Sequence, residues 1–183
     1  GNVIAVIGDG SLSGGEALEG LDFASELKSN LIIVVNDNDM SIAENHGGLY
    51  GNLKLLRETD GKAECNFFKA MGLDYVYVGN GNDIGALIDA FKSVKDAGKP
   101  VVVHIVTLKG KGYKPAEEDK ETWHWHMPFD IKTGKPLMDS DGEDYSSVTA
   151  EYLLDKMKKD KSVVTITSAT PTVMGFTADK RHE

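Results

Sequence analysis

Short apolar runs alternate with helical repeats along most of the chain. Apolar residues recur every three or four positions at Leu18, Leu21, Ala24 and Leu27, a spacing typical of an amphipathic helix, and residues 84–91 repeat the pattern. The runs that predict strands lie at residues 3–7, 31–35, 75–78 and 101–107. Strands that alternate with helices predict an α/β fold with a doubly wound parallel sheet and right-handed crossovers. We expect the first strand to be buried on both faces.

The pattern changes in the last third of the chain. Residues 108–144 lose apolar periodicity and are rich in Gly, Pro, Lys and acidic residues. A helical pattern returns at 145–158, and an apolar run predicts a strand at 163–167. We therefore predict a first domain at 1–113 that lacks its N-terminal part, a linker loop at 114–144, and the start of a second, truncated α/β domain at 145–183. Because predicted strands reach almost to both ends, we expect a piece of a longer protein.

The composition and charge of the chain limit the classes of partner that we expect it to bind. The 183 residues carry a formal net charge of −9, which argues against nucleic acid because duplex affinity rests on basic surfaces. No apolar run approaches the roughly 20 residues that span a bilayer, and we find no signal peptide, so we predict no membrane partner. Cys65 is the only cysteine, which excludes an intrachain disulfide. We expect a buried thiol and a reducing, cytoplasmic location.

Polar motifs directly follow the first two predicted strands. Gly-Asp-Gly occupies residues 8–10, and Asn-Asp-Asn occupies residues 36–38. Because open parallel sheets bind ligands at the carboxyl ends of their strands, we expect both motifs to face one ligand. Glycine at position 10 would let backbone N–H groups approach a phosphate, while Asp9 and Asn38 offer the oxygen ligands that Mg²⁺ prefers. The sequence therefore predicts a metal-assisted phosphate site.

Several neighbouring residues have a structural explanation. Ser13 and Glu16 have the spacing of a capping box at the start of the first long helix, whose N-terminus would also attract the anion. His104 lies within a predicted strand, and we expect a core histidine. Residues 79–84 lack the third glycine of a dinucleotide fingerprint, so we predict a turn into a helix that Asn82 or Asp83 caps.

The Gly-Asp-Gly motif and the asparagine of the second motif, at this distance from each other, resemble the signature of thiamin diphosphate enzymes. The longer strings at residues 8–15 and 36–45 resemble the 1-deoxy-D-xylulose-5-phosphate synthase family, as do residues 109–117 and 124–130. The resemblance covers nearly the whole chain and is most specific at the first two motifs. It implies the thiamin diphosphate-binding fold, with thiamin diphosphate and Mg²⁺ as cofactors.

The resemblance also implies roles for single residues at the diphosphate end of the cofactor. Asp9 and Asn38 match the side-chain ligands of Mg²⁺, and Met40 matches the residue whose carbonyl completes the metal site. Gly10 and Ser11 match backbone donors to the diphosphate. These five residues would together hold the metal–diphosphate group.

Three further roles follow from the same resemblance. Ile42 matches an apolar residue that packs against the cofactor rings, and Lys109 matches a lysine that reaches the diphosphate. His124 matches an active-site histidine that assists proton transfer. His126 competes for that role, and the spacing to Lys109 and to residues 129–130 favours His124.

For the function, the resemblance implies an enzyme that condenses pyruvate with glyceraldehyde 3-phosphate, with loss of CO₂, and that forms a homodimer. The residues present would anchor the cofactor. In this family the glutamate that activates the cofactor ring comes from the second domain, after the point where this chain ends. We therefore expect this piece alone to be inactive.

Three alternatives remain open at this point. A transketolase acting on sugar phosphates would use the same motifs, although the residues at 36–42 and the Lys109 segment argue against it. A non-catalytic remnant would bind only the cofactor or a partner chain. A Mg²⁺-dependent phosphatase would need a second acid beside Asp9, and the Gly-Asp-Gly motif offers only one carboxylate.

Overall fold

The computed structural model describes residues 1–138 and 142–182, and the chain forms two compact units, residues 1–111 and 112–183. The elements of the first unit are β1 (Val3–Gly8), α1 (Asp9–Leu12), α2 (Gly15–Ser25), β2 (Leu31–Asp37), α3 (Gly48–Glu58), α4 (Phe67–Ala70), β3 (Asp74–Val78), α5 (Ile84–Val94) and β4 (Val101–Val106). The strands that the apolar runs predicted in this unit are therefore confirmed, as are the two predicted helices, α2 and α5.

The four strands form one parallel sheet in the order β1-β2-β4-β3. Val34 of β2 pairs with Val6 of β1 on one side and with Val103 of β4 on the other. All three pairings are parallel, and helical segments connect each strand to the next. This is the parallel α/β sheet that the sequence predicts.

Each face of the sheet carries its own apolar core. Ile33 and Val35 of β2 pack on one face with residues of α2, α3 and α4, whereas Ile32 and Val34 pack on the other face with residues of α5. Successive side chains of a strand point to opposite faces, which explains why four consecutive residues of β2 are all buried. Helices cover both faces of the sheet, as the doubly wound arrangement requires.

The edge strand β1 departs from the prediction of a strand buried on both faces. Val3, Ile4 and Val6 are 65%, 54% and 72% exposed, because β1 pairs only with β2 and no described helix covers these side chains. The prediction of a strand is confirmed, but the prediction of its burial is wrong. β1 leaves an apolar surface at one edge of the sheet.

The second unit contains α6 (Lys114–Glu118), α7 (Tyr145–Lys159) and two short 3-10 helices, Thr122–His124 and Lys180–His182. The strand predicted at 163–167 is wrong. Val164 and Ile166 are 74% and 94% exposed, and the described part of this unit offers no strand that pairs with them. The assignment of 1–113, 114–144 and 145–183 to functional domains stays a prediction. Across the described residues, no helix has both the length and the apolar character to cross a membrane.

Candidate functional site at the ends of β1 and β2

Asp9 begins helix α1 at the end of β1 and is almost completely buried, with 3% of its surface exposed. Its Oδ2 accepts hydrogen bonds from the backbone N–H of Met40 at 2.9 Å and from the side-chain amide of Asn45 at 3.0 Å. Both donors lie in the segment that follows β2. The two predicted motifs therefore meet at one edge of the sheet, as expected for neighbouring parallel strands.

Asn38 follows β2 and has a buried oxygen without a hydrogen bond. Within residues 1–138 and 142–182, no protein donor reaches its Oδ1. A buried polar atom left unpaired costs about 1–3 kcal/mol, so such an atom in a folded protein calls for an explanation. A ligand that donates a hydrogen bond to this oxygen, or a metal ion that it coordinates, would remove the penalty.

The available oxygens fit Mg²⁺ in chemical type. The backbone N–H of Met40 is bonded to the carboxylate of Asp9, and Asn38 in the same loop as Met40 offers a buried amide oxygen. Mg²⁺ is commonly held by few protein ligands, with phosphate and water completing the shell. No group of three or more His, Cys, Asp and Glu side chains that could hold a metal occurs among the described residues. The predicted set would therefore need diphosphate oxygens to complete it.

Gly10 allows the two segments to approach closely. A Cβ at this position would lie 2.7 Å from Oγ and 2.8 Å from Cβ of Ser41, closer than real contacts permit. Ser11, the next residue of α1, is exposed, so its backbone is near the surface of the site. The requirement for glycine at position 10 thus arises from packing against Ser41, whatever it also does for a phosphate.

The start of α2 differs from the predicted capping box. The helix begins at Gly15 with Gly14 as its N-cap, and no side chain caps it. Ser13 lies one residue too early to cap, and its hydroxyl is instead hydrogen-bonded to that of Tyr50 at 2.7 Å. The prediction that Ser13 and Glu16 form a capping box is therefore wrong. Gly14 has no side chain that could accept from the first N–H groups of α2, a condition that favours an anion.

Lys109 and Ile42 belong to the same unit as Asp9. Lys109 follows β4, and its ammonium donates a hydrogen bond to the backbone carbonyl of Ser41 at 2.5 Å. This contact places the lysine against the loop that carries Asn38 and Met40. Ile42 is half-buried beside that loop. The binding roles of both residues stay predictions.

Beneath the loop lies a buried polar network centred on Asp37, which is fully buried. Its carboxylate accepts from Nη1 of Arg57 at 2.9 and 2.7 Å, and from Nε2 of His104 at 2.9 Å. Nδ1 of His104 is hydrogen-bonded to the hydroxyl of Tyr75 at 2.7 Å. His104 is a core histidine, as predicted.

The two buried carboxyl groups have opposite electrostatic environments. Burial, and then the negative charge of Asp37, raise the pKa of Asp9, and the N–H groups of Gly10 and Met40 offset this only in part. Burial alone would raise the pKa of Asp37 too, but hydrogen bonds from His104 and Arg57 lower it below the ordinary value. The more distant charge of Arg57 also lowers the pKa of Asp9, but within the described part of the chain the hydrogen bonds to its carboxylate come from neutral groups.

The histidines predicted for catalysis belong to the second unit. His124 is exposed at the end of the 3-10 helix Thr122–His124. The ring of His126 stacks on Trp123 with a centroid distance of 4.5 Å, and its Nδ1 is hydrogen-bonded to the carbonyl of Met127 at 2.9 Å. His126 thus has a structural role in an aromatic cluster, and the catalytic role of His124 stays a prediction.

For two residues near the site, the prediction from sequence was either wrong or absent. Cys65 is exposed, so the prediction of a buried thiol is wrong; it lies in the segment before α4, where it accepts from the amide of Asn52 at 3.5 Å. Arg57 was not predicted, because an arginine in the last turn of an amphipathic helix usually faces solvent. Only the pairing of Arg57 with the buried carboxylate of Asp37 would have indicated its role.

A doubly wound α/β unit with buried oxygens of two polar motifs at neighbouring strand ends defines a class of ligand-binding domain rather than a single enzyme. Among solved structures, transketolase from Campylobacter jejuni matches 94% of the chain with a TM-score of 0.51 and 20% identity, and the match covers 23% of that protein. This similarity establishes the fold.

Sequence comparison identifies the family. The family model for 1-deoxy-D-xylulose-5-phosphate synthase matches residues 1–64 and 57–107, and the chain belongs to that family. The synthase of Lachnoclostridium phytofermentans is 36% identical over 219 residues, covering 96% of the chain and 34% of the relative. That of Listeria monocytogenes is 40% identical over 177 residues, covering 92% and 29%. The chain thus spans about a third of the length of these relatives.

Proposed function

We propose that the chain supplies the metal- and diphosphate-binding half of a thiamin diphosphate site, in an enzyme that condenses pyruvate with glyceraldehyde 3-phosphate to 1-deoxy-D-xylulose 5-phosphate and CO₂. The observation that carries this proposal is the buried Oδ1 of Asn38, which has no described hydrogen-bond partner and lies in the segment bonded to the Asp9 carboxylate. Family membership supplies the chemistry. Asp9, Asn38 and the carbonyl of Met40 would hold Mg²⁺.

The remaining residues of the site would bind and orient the diphosphate. The backbone N–H groups of Gly10 and Ser11, and the uncapped N-terminus of α2, are donors suited to an anion. Lys109 would add a positive charge beside the loop at Ser41, and Ile42 would offer an apolar contact to the cofactor rings. When bound, thiamin diphosphate supplies the carbon nucleophile and the electron sink for decarboxylation.

A proton-transfer role, a homodimer and a cellular compartment complete the proposal. His124 would move a proton at the substrate, with no function assigned to the stacked His126. Two chains would form a homodimer, and the exposed apolar side chains of β1, Val3, Ile4 and Val6, are a surface that association would bury. The free, exposed thiol of Cys65 fits a reducing compartment such as the cytoplasm.

Calorimetric titration of the protein with thiamin diphosphate, in Mg²⁺ and in chelator, tests the binding proposal. We expect Mg²⁺-dependent binding, and we expect Asp9→Asn to weaken it by at least about 100-fold, since even outer-shell changes at metal sites cost 10–100-fold. Asp22→Asn, an exposed change on α2, is the matched control and should bind normally. Equal affinity of Asp9→Asn and the unchanged protein would refute the metal role.

The reaction itself is tested on the full-length enzyme. Incubation with pyruvate and glyceraldehyde 3-phosphate should yield 1-deoxy-D-xylulose 5-phosphate and CO₂ in equal amounts, and Asp9→Asn should abolish both. A ketose formed by transfer between two sugar phosphates, without CO₂, would instead indicate a transketolase.

A further inference from the structure

Arg57 bridges the two acidic residues on either side of Asn38. Its Nη1 donates to both carboxylate oxygens of Asp37, at 2.9 and 2.7 Å, and its Nη2 donates to Oδ1 of Asp39. The arginine side chain is only 15% exposed. One guanidinium from the last turn of α3 therefore holds the loop immediately before and after the residue with the unpaired buried oxygen.

The first contact point of this bridge, Asp37, is held by several groups. Asp37 ends β2, is fully buried, and is also held by His104 at 2.9 Å and by the backbone N–H of Asp39 at 3.0 Å. Tyr75 in turn fixes His104. The bridge from Arg57 to Asp37 thus extends the rigid sheet to the base of the loop.

The second contact point holds an unfavourable backbone conformation. Asp39 has φ of +63°, in the left-handed region that non-glycine residues visit at a cost of about 1–2 kcal/mol. Its side chain is 64% exposed, so burial does not hold it in place. The ion pair with Arg57 and the hydrogen bond from its own N–H to Asp37 are the contacts that favour this turn.

We propose that Arg57 is a positioning residue: by clamping Asp37 and Asp39 it fixes the turn that presents Oδ1 of Asn38 to the metal ion, without touching metal or cofactor itself. This inference rests on the proposed function. An arginine suits the role because its planar fork makes two directed contacts at once, whereas a lysine offers one compact charge.

The test compares Arg57→Met and Arg57→Lys with Lys54→Met, which removes the same charge from an exposed position on α3. Thiamin diphosphate affinity is measured by calorimetry in Mn²⁺, and the Mn²⁺ electron paramagnetic resonance spectrum reports the geometry of the metal shell. We expect Arg57→Met to weaken affinity by about 10–100-fold and broaden the spectrum. Arg57→Lys should recover less than half of that loss on a logarithmic scale. Lys54→Met should match the unchanged protein.

Folding and function are kept apart by two further measurements. Far-UV circular dichroism establishes that each variant is folded, and Asp39→Asn, at an exposed position, breaks one arm of the clamp even if Arg57→Met does not fold. Asp39→Asn should weaken affinity about 2–5-fold, as expected for losing one surface ion pair of up to about 1 kcal/mol.

The outcomes separate the two proposals. If the unchanged protein binds no cofactor with Mn²⁺, the proposed function fails. If it binds and a folded Arg57→Met variant binds equally well with the same spectrum, or if Asp39→Asn has no effect where Arg57→Met is unfolded, the positioning role of Arg57 is overturned.

Discussion

Asp9 and Asp37 are both buried carboxylates at the ends of neighbouring strands, and their surroundings differ. Asp37 is enclosed by the guanidinium of Arg57 and the imidazole of His104, which together lower its pKa. Among the described residues, Asp9 accepts from neutral amide and backbone groups, and burial and the charge of Asp37 raise its pKa. Two residues of the same type, both at most 3% exposed, thus lie in opposite electrostatic states.

The difference assigns the two carboxylates to different tasks. Asp37 is fully compensated within the protein and acts as a structural anchor. Asp9 is held in place but not neutralised, a state that natural proteins retain where a ligand or metal supplies the missing charge. The unpaired buried oxygen of Asn38, in the loop whose Met40 is bonded to Asp9, indicates the same requirement.

The largest expected loss of folding stability comes from removing the negative charge of Asp37. Asp37→Asn leaves Arg57 in a largely buried place without its main partner, and breaking a buried ion pair on one side costs about 3–5 kcal/mol. Urea unfolding followed by circular dichroism measures this loss. A loss below about 1 kcal/mol would mean that Asp37 is not the anchor.

A smaller loss is expected when the approach of the two strand ends is obstructed. Gly10→Ala places a Cβ 2.7 Å from Oγ of Ser41, and such overpacking costs about 1–3 kcal/mol. Gly20→Ala in α2 is the matched control, because nothing lies within 4 Å of its added Cβ, and it should stabilise the helix by about 0.5–1 kcal/mol. Thermal unfolding of both variants measures these two changes in stability. Equal changes would indicate that Ser41 moves aside freely.

The smallest expected effect is a gain in stability. Asp9→Asn keeps an oxygen for Met40 and Asn45, since both donors contact Oδ2, and removes an uncompensated charge. We expect it to stabilise the metal-free protein at pH 7 by about 0.5–1 kcal/mol, as is common when functional residues are replaced.

The pH dependence of that gain has a defined sign. The folded-state pKa of Asp9 is raised, so its contribution is favourable below the ordinary value of 3.8 and is lost as pH rises through the folded pKa. Asp37 has a lowered pKa, and its contribution is lost as pH falls through that value. The gain in stability from Asp9→Asn should therefore be small near pH 3 and complete at pH 7. A variant that is less stable than the unchanged protein at pH 7 would contradict this assignment.

The sheet and the approach of the two polar motifs could be predicted because they depend on local sequence. Apolar runs long enough to cross a core predicted the four strands, and the polar residues directly after two of them predicted that Asp9 meets the Asn38 segment. Both inferences use only strand direction and chain order.

The errors and omissions arise from tertiary context. The apolar run at 163–167 lacks a described partner strand, and β1 lies at an edge, so neither is buried as its composition suggests. The capping box fails because α2 starts one residue later than its spacing requires. Arg57 lies 20 residues from Asp37, and sequence alone does not indicate which acid an arginine on a helix will meet.

The central claim, that Asp9 and Asn38 hold one divalent ion together with a diphosphate, is tested most directly by anomalous diffraction. Crystals grown with Mn²⁺ and thiamin diphosphate should give one manganese peak within about 2.3 Å of both a carboxylate oxygen of Asp9 and Oδ1 of Asn38, a distance typical of hard divalent cations and oxygen ligands. A bound cofactor whose manganese peak lies away from either side chain, or Oδ1 of Asn38 hydrogen-bonded to protein instead, would contradict the claim.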